Sequence, residues 1–128
     1  MSTFHLNFVP IKRRPRFCVV QGHVHSYVDE KTENDQTMIG WAYRGPKLTG
    51  KVAVTIRVQR HLPYSAPKKI ESQPDTMKPD VDNIAKAILD GLTGIAYGDD
   101  SQVTELHIIK DDRRRCTGDC VTVRVEEA

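Results

Sequence analysis

Four aspartates and one lysine in the second half of the chain are the residues best suited to chemistry. Asp80 and Asp82 stand two residues apart, and Lys86 follows four residues after Asp82. An acidic pair, Asp99-Asp100, comes after a short apolar stretch further along. If that stretch packs beside the segment that starts at Asp80, the turn behind it can return its carboxylates towards the first two aspartates.

Clustered carboxylates of this kind suit a hard divalent cation. Mg²⁺ and Mn²⁺ prefer oxygen ligands and often bridge to substrate phosphate. The simpler interpretation gives each acid a structural role. Asp80 would cap a helix, Asp82 would pair with Lys86, and the acidic pair would serve a turn. The residues alone leave both interpretations open.

A helix is expected to position the first of these groups. Apolar residues recur at helical spacing after Asp80, which makes Asp80 the N-cap and places Asp82 in the first turn. Gly91 and Gly94 are expected to end the helix. The apolar stripe consists of Val81, Ile84, Ala85, Ile88 and Leu92.

The rest of the chain predicts an α/β (α+β) fold, with a mixed sheet of about four strands and two main helices on one face. The clearest strand is 51–60, where alternate residues are apolar. Strands 102–109 and 120–126 are expected to form a hairpin through a polar tip. Trp41 is expected in the core. The other predicted elements are a short strand at 4–9, an extended stretch at 17–28 interrupted by Gly22, and a short helix at 32–43.

Charge is divided unevenly along the chain, although the net charge is only +2. Residues 1–74 hold 12 Lys/Arg and 5 Asp/Glu, whereas residues 75–128 hold 7 Lys/Arg and 12 Asp/Glu. This pattern indicates a polyanion-binding surface beside an acidic site. A long proline-containing loop, 61–79, leads directly into the acidic segment, and loops of this length are usually functional or disordered. The candidate phosphate-binding residues are Arg13, Arg14, Arg16, Lys68 and Lys69.

The segment Lys78 to Val103, KPDVDNIAKAILDGLTGIAYGDDSQV, resembles the signature of the RusA family of Holliday junction resolvases. The family pattern is approximately Lys-Pro-Asp-x-Asp-Asn, a lysine three residues on, an apolar helix, and Asp-Asp-x-Gln-Val. Every element is present at matching spacing. The basic segment 12–16 and the loop 61–69 are similar to weaker family features.

The resemblance implies a single RusA-like endonuclease domain over 1–128 that acts as a homodimer on branched, four-way DNA. It implies Mg²⁺-dependent cleavage by paired symmetric nicks, with Mn²⁺ as a substitute ion. By motif position, Asp80, Asp82 and Asp100 would be the catalytic metal ligands and Lys86 the catalytic lysine. Asp99 would be a supporting acid, and it could exchange roles with Asp100.

Two other functions compete with junction resolution. One is a broader structure-selective nuclease that acts on flaps or nicked duplexes. The other is a junction-binding protein without catalysis, in which the acids serve only as caps and turns. Cleavage of a junction, compared with a flap and a linear duplex, separates the three.

Composition limits the possible number of domains, the partners and the cellular compartment. The 128 residues are 38% hydrophobic, which is typical of one soluble domain. No apolar run is long enough to cross a bilayer and no secretory leader is evident, so no membrane partner is expected. The three cysteines are sparse and odd in number, which favours a reducing cytoplasm.

Overall fold

The computed structural model describes residues 1–12, 16–27 and 30–128. A short 3₁₀ turn, Asp100–Gln102, lies directly before the strand that begins at Val103. None of the described helices is long and apolar enough to cross a membrane. The elements follow one another as β1 (Ser2–Leu6), β2 (Arg16–Val20), β3 (His23–Tyr27), α1 (Glu30–Ala42), β4 (Val52–Gln59), β5 (Ser72–Gln73), α2 (Val81–Leu92), β6 (Val103–Lys110), β7 (Arg113–Arg114) and β8 (Cys120–Glu127).

A four-stranded sheet in the order β1-β8-β4-β6 forms the centre of the fold. Strand β4 pairs antiparallel with β8 and parallel with β6, so the sheet is mixed. The helices supply Ile39, Ile84 and Ile88 to the same apolar cluster as the strands. The predicted α+β class, with a mixed four-stranded sheet and two helices, is confirmed. The predicted inward-facing residues of β4 are all fully buried: Val52, Val54, Ile56 and Val58.

The segment β4-α2-β6 is a parallel crossover, and it fixes the direction of α2. Two parallel strands joined by a helix require the helix to run back along the sheet. At one end, Lys110 Nζ at the end of β6 donates to Pro79 O, just before α2, at 3.0 Å. At the other end, Leu48 N donates to Ala96 O, just after α2, at 2.7 Å. Helix α2 therefore begins where β6 ends, and it ends where β4 and β6 begin.

The predicted hairpin between the last two long strands is wrong, because β4 lies between β6 and β8. Residues 111–119 instead pass across the end of β4, where Asp111 N donates to Val58 O at 2.8 Å. The reason is burial: Val121, Val123 and Val125 of β8 are at most 1% exposed and belong in the middle of the sheet. Strand β6 is more exposed and lies at the edge.

Gly91 does not end α2, as was expected, but lies inside it. A Cβ atom built on Gly91 would lie 2.8 Å from Cβ of Ile39 in α1, so only a glycine allows the two helices to pack this closely. Gly94, with φ +85°, follows the helix in the left-handed region that glycine adopts without strain. Apart from Val81, which is 40% exposed, the predicted apolar stripe of α2 is buried.

The other predicted elements are present with shifted ends. Residues 17–27 of the predicted extended stretch belong to the hairpin of β2 and β3, with positive φ at Gln21 and Gly22 in the turn, and residue 28 lies outside the described residues. Such a pair of positive φ angles is typical of two-residue hairpin loops. The expectation that Trp41 belongs to the core is wrong, because its side chain is 74% exposed near the end of α1.

Candidate active site

Asp80 occupies the N-cap position of α2, as predicted, with an extended backbone (φ −73°, ψ 157°). Its carbonyl accepts the first helical hydrogen bond from Ile84 N at 3.1 Å. Its carboxylate makes no capping hydrogen bond and is exposed. The cap interpretation therefore does not account for this carboxylate, which remains able to bind another group.

Asp82 and Lys86 are also exposed on α2, one helical turn apart. Among the described residues, the ion pairs within 4.0 Å do not include one between them. The carboxylate and the ammonium group are thus separate on the polar face of the helix. The interpretation of this pair as a surface salt bridge is not realised.

A network around a buried carboxylate anchors the segment before Asp80. The side chain of Asp75 is 0% exposed, and its Oδ1 lies 3.3 Å from Arg60 and 3.6 Å from Lys110. Lys110 Nζ also donates to the carbonyls of Met77 and Pro79 at 2.6 and 3.0 Å. The sequence reasoning missed these residues. The sequence feature that could have identified Arg60 and Lys110 is their position. Each cation stands at or just after the end of one of the two parallel strands, β4 and β6.

A pocket of about 410 Å³ opens beside Asp80. Arg60, which lines this pocket, donates to Lys78 O at 3.0 Å, and the Lys78 side chain is exposed. Cationic and amide side chains therefore line the same pocket as the first carboxylate, which suits an approaching phosphate. Lys78 was not among the predicted binding residues. The lining residues are Ile11, Arg60, Lys78, Pro79, Asp80 and Asn83.

The second acidic pair lies in a turn that Gln102 holds together. Gln102 Oε1 accepts from the backbone N–H groups of Gly98 and Asp99 at 2.8 and 3.1 Å. Its Nε2 donates to the carbonyls of Leu48 and Gly50, just before β4. The turn is therefore fixed to the starting ends of β4 and β6.

The two acids of this turn differ in their surroundings. Ser101 Oγ donates to Asp99 Oδ2 at 2.6 Å, and this hydrogen bond is the main reason that the pKa of Asp99 lies below its usual value. Asp100 is exposed and forms no ion pair with the described residues. Asp99 thus serves the turn, and Asp100 is the better candidate ligand of the pair.

Tyr97 ties the same turn to the end of α2. Its ring is fully buried, and its hydroxyl donates to Leu89 O at 2.8 Å. Burial raises the pKa of this hydroxyl, so Tyr97 stays a neutral hydrogen-bond donor. The apolar stretch before the acidic pair therefore packs beside α2, as expected, but at its C-terminal end.

The two acidic groups lie at opposite ends of α2 within one chain. A helix of 12 residues is about 18 Å long at 1.5 Å per residue. Accordingly, the described residues contain no group of three His, Cys, Asp or Glu side chains placed to hold a metal ion. The expectation that the turn returns its carboxylates to Asp80 and Asp82 is wrong for a single chain, because the parallel crossover separates them. Their assignment as metal ligands stays a prediction.

The predicted DNA-binding cations are only partly described. Lys68 and Lys69 are exposed in the loop 61–79. Arg13 and Arg14 lie outside the described residues, and Arg16 is described only by its backbone in β2. The loop is held by Arg115, whose NH2 donates to Pro67 O and Ile70 O.

Comparison with known proteins places the chain in a family. Residues 7–126 match the model of a family described as Endodeoxyribonuclease RusA. The chain is also 33% identical over 109 residues to the protein printed as "Uncharacterized protein YqaN" of Bacillus subtilis (strain 168). That alignment covers 76% of this chain and 77% of the Bacillus protein.

Proposed function

The chain belongs to the RusA family of endodeoxyribonucleases, which act on Holliday junctions, and we propose that it resolves four-way DNA junctions by paired symmetric nicks that require Mg²⁺. The family match over residues 7–126 carries this proposal. The exposed carboxylates at the two ends of α2 support the metal requirement. We place the reaction in a reducing cytoplasm, since the three cysteines of the chain are sparse and odd in number.

The donor set suits Mg²⁺, with Mn²⁺ as a substitute. Asp80, Asp82 and Asp100 would hold the ion through carboxylate oxygens, which are the ligands that hard cations prefer. At such a site, a bound ion would supply charge neutralisation at the scissile phosphate and would lower the pKa of a water nucleophile. None of the three carboxylates needs to break an ion pair in the described structure in order to bind it.

The remaining residues of the site bind and orient the phosphate. Lys86 lies one helical turn from Asp82 and supplies positive charge where the transition state gains negative charge. Lys78 and Asn83 at the pocket beside Asp80 can donate to phosphate oxygens. Arg60, held by Asp75, keeps the segment before α2 in place.

A three-carboxylate site requires two copies of the chain. Magnesium binds oxygen ligands at about 2.0–2.1 Å, whereas Asp100 and Asp80 are separated by the length of α2. We therefore propose a homodimer in which Asp80 and Asp82 of one copy meet Asp100 of the other. Two equal sites related by a two-fold axis also match the approximate two-fold symmetry of a four-way junction.

The arms of the junction need cations outside the catalytic centre. We propose that Arg13, Arg14, Arg16, Lys68 and Lys69 contact DNA phosphates, which supply most of the sequence-independent affinity. Lys68 and Lys69 follow the strand β4 into the same loop that ends at Asp80. The basic first half of the chain thus supplies the binding surface for an acidic centre.

A substrate panel tests the proposal. The wild type, Asp82→Asn, Asp100→Asn and the exposed control Asp112→Asn are each given a mobile four-way junction, a flap and a linear duplex with Mg²⁺ or with EDTA. We expect paired nicks on the junction only, for the wild type and Asp112→Asn, and none in EDTA. The two site variants should bind the junction without cutting it.

Each other outcome selects a different function. Comparable cutting of all three substrates indicates a broader structure-selective nuclease. Tight junction binding without nicks, in Mg²⁺ and in Mn²⁺, indicates a binding protein. Wild-type turnover in EDTA rejects the metal-carboxylate mechanism.

A further inference from the structure

Tyr64 is the most exposed large apolar or aromatic side chain in the part of the chain that the structure describes, at 91% exposure. It lies at the tip of a turn after β4, which Ala66 N closes by donating to Pro63 O at 2.9 Å. Leu62, just before the turn, is 4% exposed, and its N–H donates to Arg114 O at 2.8 Å. The backbone that carries Tyr64 is therefore held in place while the ring itself is exposed.

A histidine supports one side of this ring. The rings of His61 and Tyr64 have centroids 5.1 Å apart and planes tilted by 33°, a separation typical of aromatic pairs. His61 is itself fixed, because its N–H donates to Asp119 Oδ1 at 3.1 Å and its carbonyl accepts from Arg113 at 2.8 Å. Arg113 is only 6% exposed. One side of the Tyr64 ring is thus supported, and its exposure leaves the other side open to a further flat ring.

Cations lie around the same turn. Arg115 lines a pocket of about 380 Å³ together with Tyr64, and its guanidinium donates to two carbonyls of the loop at 2.7 and 3.0 Å. Lys68 and Lys69, which follow the turn, are exposed. Proteins that hold single-stranded nucleic acid combine these two features, since the aromatic ring stacks on a base and the cations contact the phosphates.

The turn lies at the same end of the central sheet as Asp80. The residue that follows β4, Arg60, donates to Lys78 O at 3.0 Å, two residues before Asp80. His61 comes directly after Arg60 in the chain. A nucleotide stacked on Tyr64 would thus belong to the DNA next to a phosphate bound at Asp80.

We propose that Tyr64 stacks on an unpaired DNA base at the branch point of the substrate, with His61 supporting the ring. The proposal rests on the proposed function and names how the site recognises a branch. A base inside a continuous duplex has neighbours on both faces, whereas a base at the branch point can lose one of them. The ring of Tyr64 replaces that neighbour. Such stacking favours a branched substrate without reading its base sequence.

Binding of the full chain to DNA in EDTA, measured by fluorescence anisotropy, isolates recognition from cutting. Tyr64→Leu should raise the dissociation constant for a four-way junction about tenfold, which is within the contribution of one stacked base. Tyr64→Phe keeps the ring and should bind about as tightly as the wild type. A linear duplex should bind Tyr64→Leu and the wild type equally. The matched control is Trp41→Leu, which removes a second exposed aromatic ring, on α1, and should leave both constants unchanged.

Salt dependence and a cross-link separate stacking from contact with phosphate. The slope of log Kd against log salt should be the same for Tyr64→Leu and the wild type, because a stacked base releases no counterions. A 5-iododeoxyuridine at the branch point should cross-link to Tyr64 on irradiation, and the same base within a duplex arm should not. Peptide mapping by mass spectrometry identifies the cross-linked residue.

The outcomes separate this inference from the proposed function. A Tyr64→Leu variant that binds the junction as tightly as the wild type, or that loses as much affinity for the linear duplex, overturns the stacking. So does a Tyr64→Phe variant as weak as Tyr64→Leu, since the ring would then not be what binds. Paired cutting of junctions with no effect of Tyr64→Leu on binding rejects the stacking alone. A branch-point cross-link at Tyr64 in a protein that never cuts a junction supports the stacking and rejects the nuclease.

Discussion

Mixed dimers offer the most direct test of how the carboxylates are distributed. Suppose that one copy carries Asp82→Asn and its partner carries Asp100→Asn. If each site combines Asp80 and Asp82 of one copy with Asp100 of the other, both substitutions fall in the same site. The second site then has all its carboxylates. If a site lay within one chain, each copy would carry one defect and both sites would fail.

The expected magnitude follows from counting sites. Each homodimer of a variant has no intact site, whereas the mixed dimer has one of two. Purified with two different affinity tags, the mixed dimer should nick a four-way junction at about half the wild-type rate per dimer. Its products should be single nicks, because the second site cannot make the paired cut.

A control pair uses the same chemistry without complementation. Asp80→Asn and Asp82→Asn lie at the same end of α2, so a mixed dimer of these two variants has one defect in each site and should stay inactive. The assay is nicking of an end-labelled junction, with gel-shift binding to show that each dimer still holds DNA. Activity of the first mixed dimer no higher than that of the control would refute a site shared between copies.

Three further substitutions test the packing that positions the site. Gly91→Ala should lower the free energy of unfolding, measured by urea denaturation, by about 1–3 kcal/mol, because its methyl group would overlap Ile39. The double variant with Ile39→Ala should lose less stability than the sum of the losses of the two single variants. Tyr97→Phe should cost about 1 kcal/mol in the same assay, since it removes one buried hydrogen bond and leaves the carbonyl acceptor with its other donors. Lys110→Met should cost about 3 kcal/mol and slow nicking, because it leaves the buried Asp75 with Arg60 as its one remaining cation among the described residues. No loss of stability in Lys110→Met would contradict the anchoring role.

Local spacing was enough to predict the elements that carry the candidate site. The apolar stripe after Asp80 predicted α2 within a residue of its true start, and alternation predicted β4 with its four fully buried residues. Both signals depend on neighbours within one element, where period and burial are directly linked. The same holds for the turn at the acidic pair, whose aspartates and serine are typical turn residues.

Longer-range features were less accessible from the sequence. Nothing in the periodicity of β6 and β8 distinguishes a hairpin from two strands with β4 between them, because both arrangements allow apolar faces. Gly91 carried the signal of a helix end, whereas its real constraint is the side chain of Ile39 on another helix. Lys110 reads as a surface charge until the loop 61–79 folds over it.

The order of the elements along the chain could have predicted that Asp80 and Asp100 lie far apart, although their spacing in the sequence could not. A strand, a helix and a parallel strand in succession place the helix start and the turn after it at opposite ends of the sheet. Applied to β4, α2 and β6, this rule alone separates Asp80 from Asp100 and removes a one-chain metal site. In the proposed homodimer, each chain would contribute Asp80 and Asp82 to one site and Asp100 to the other.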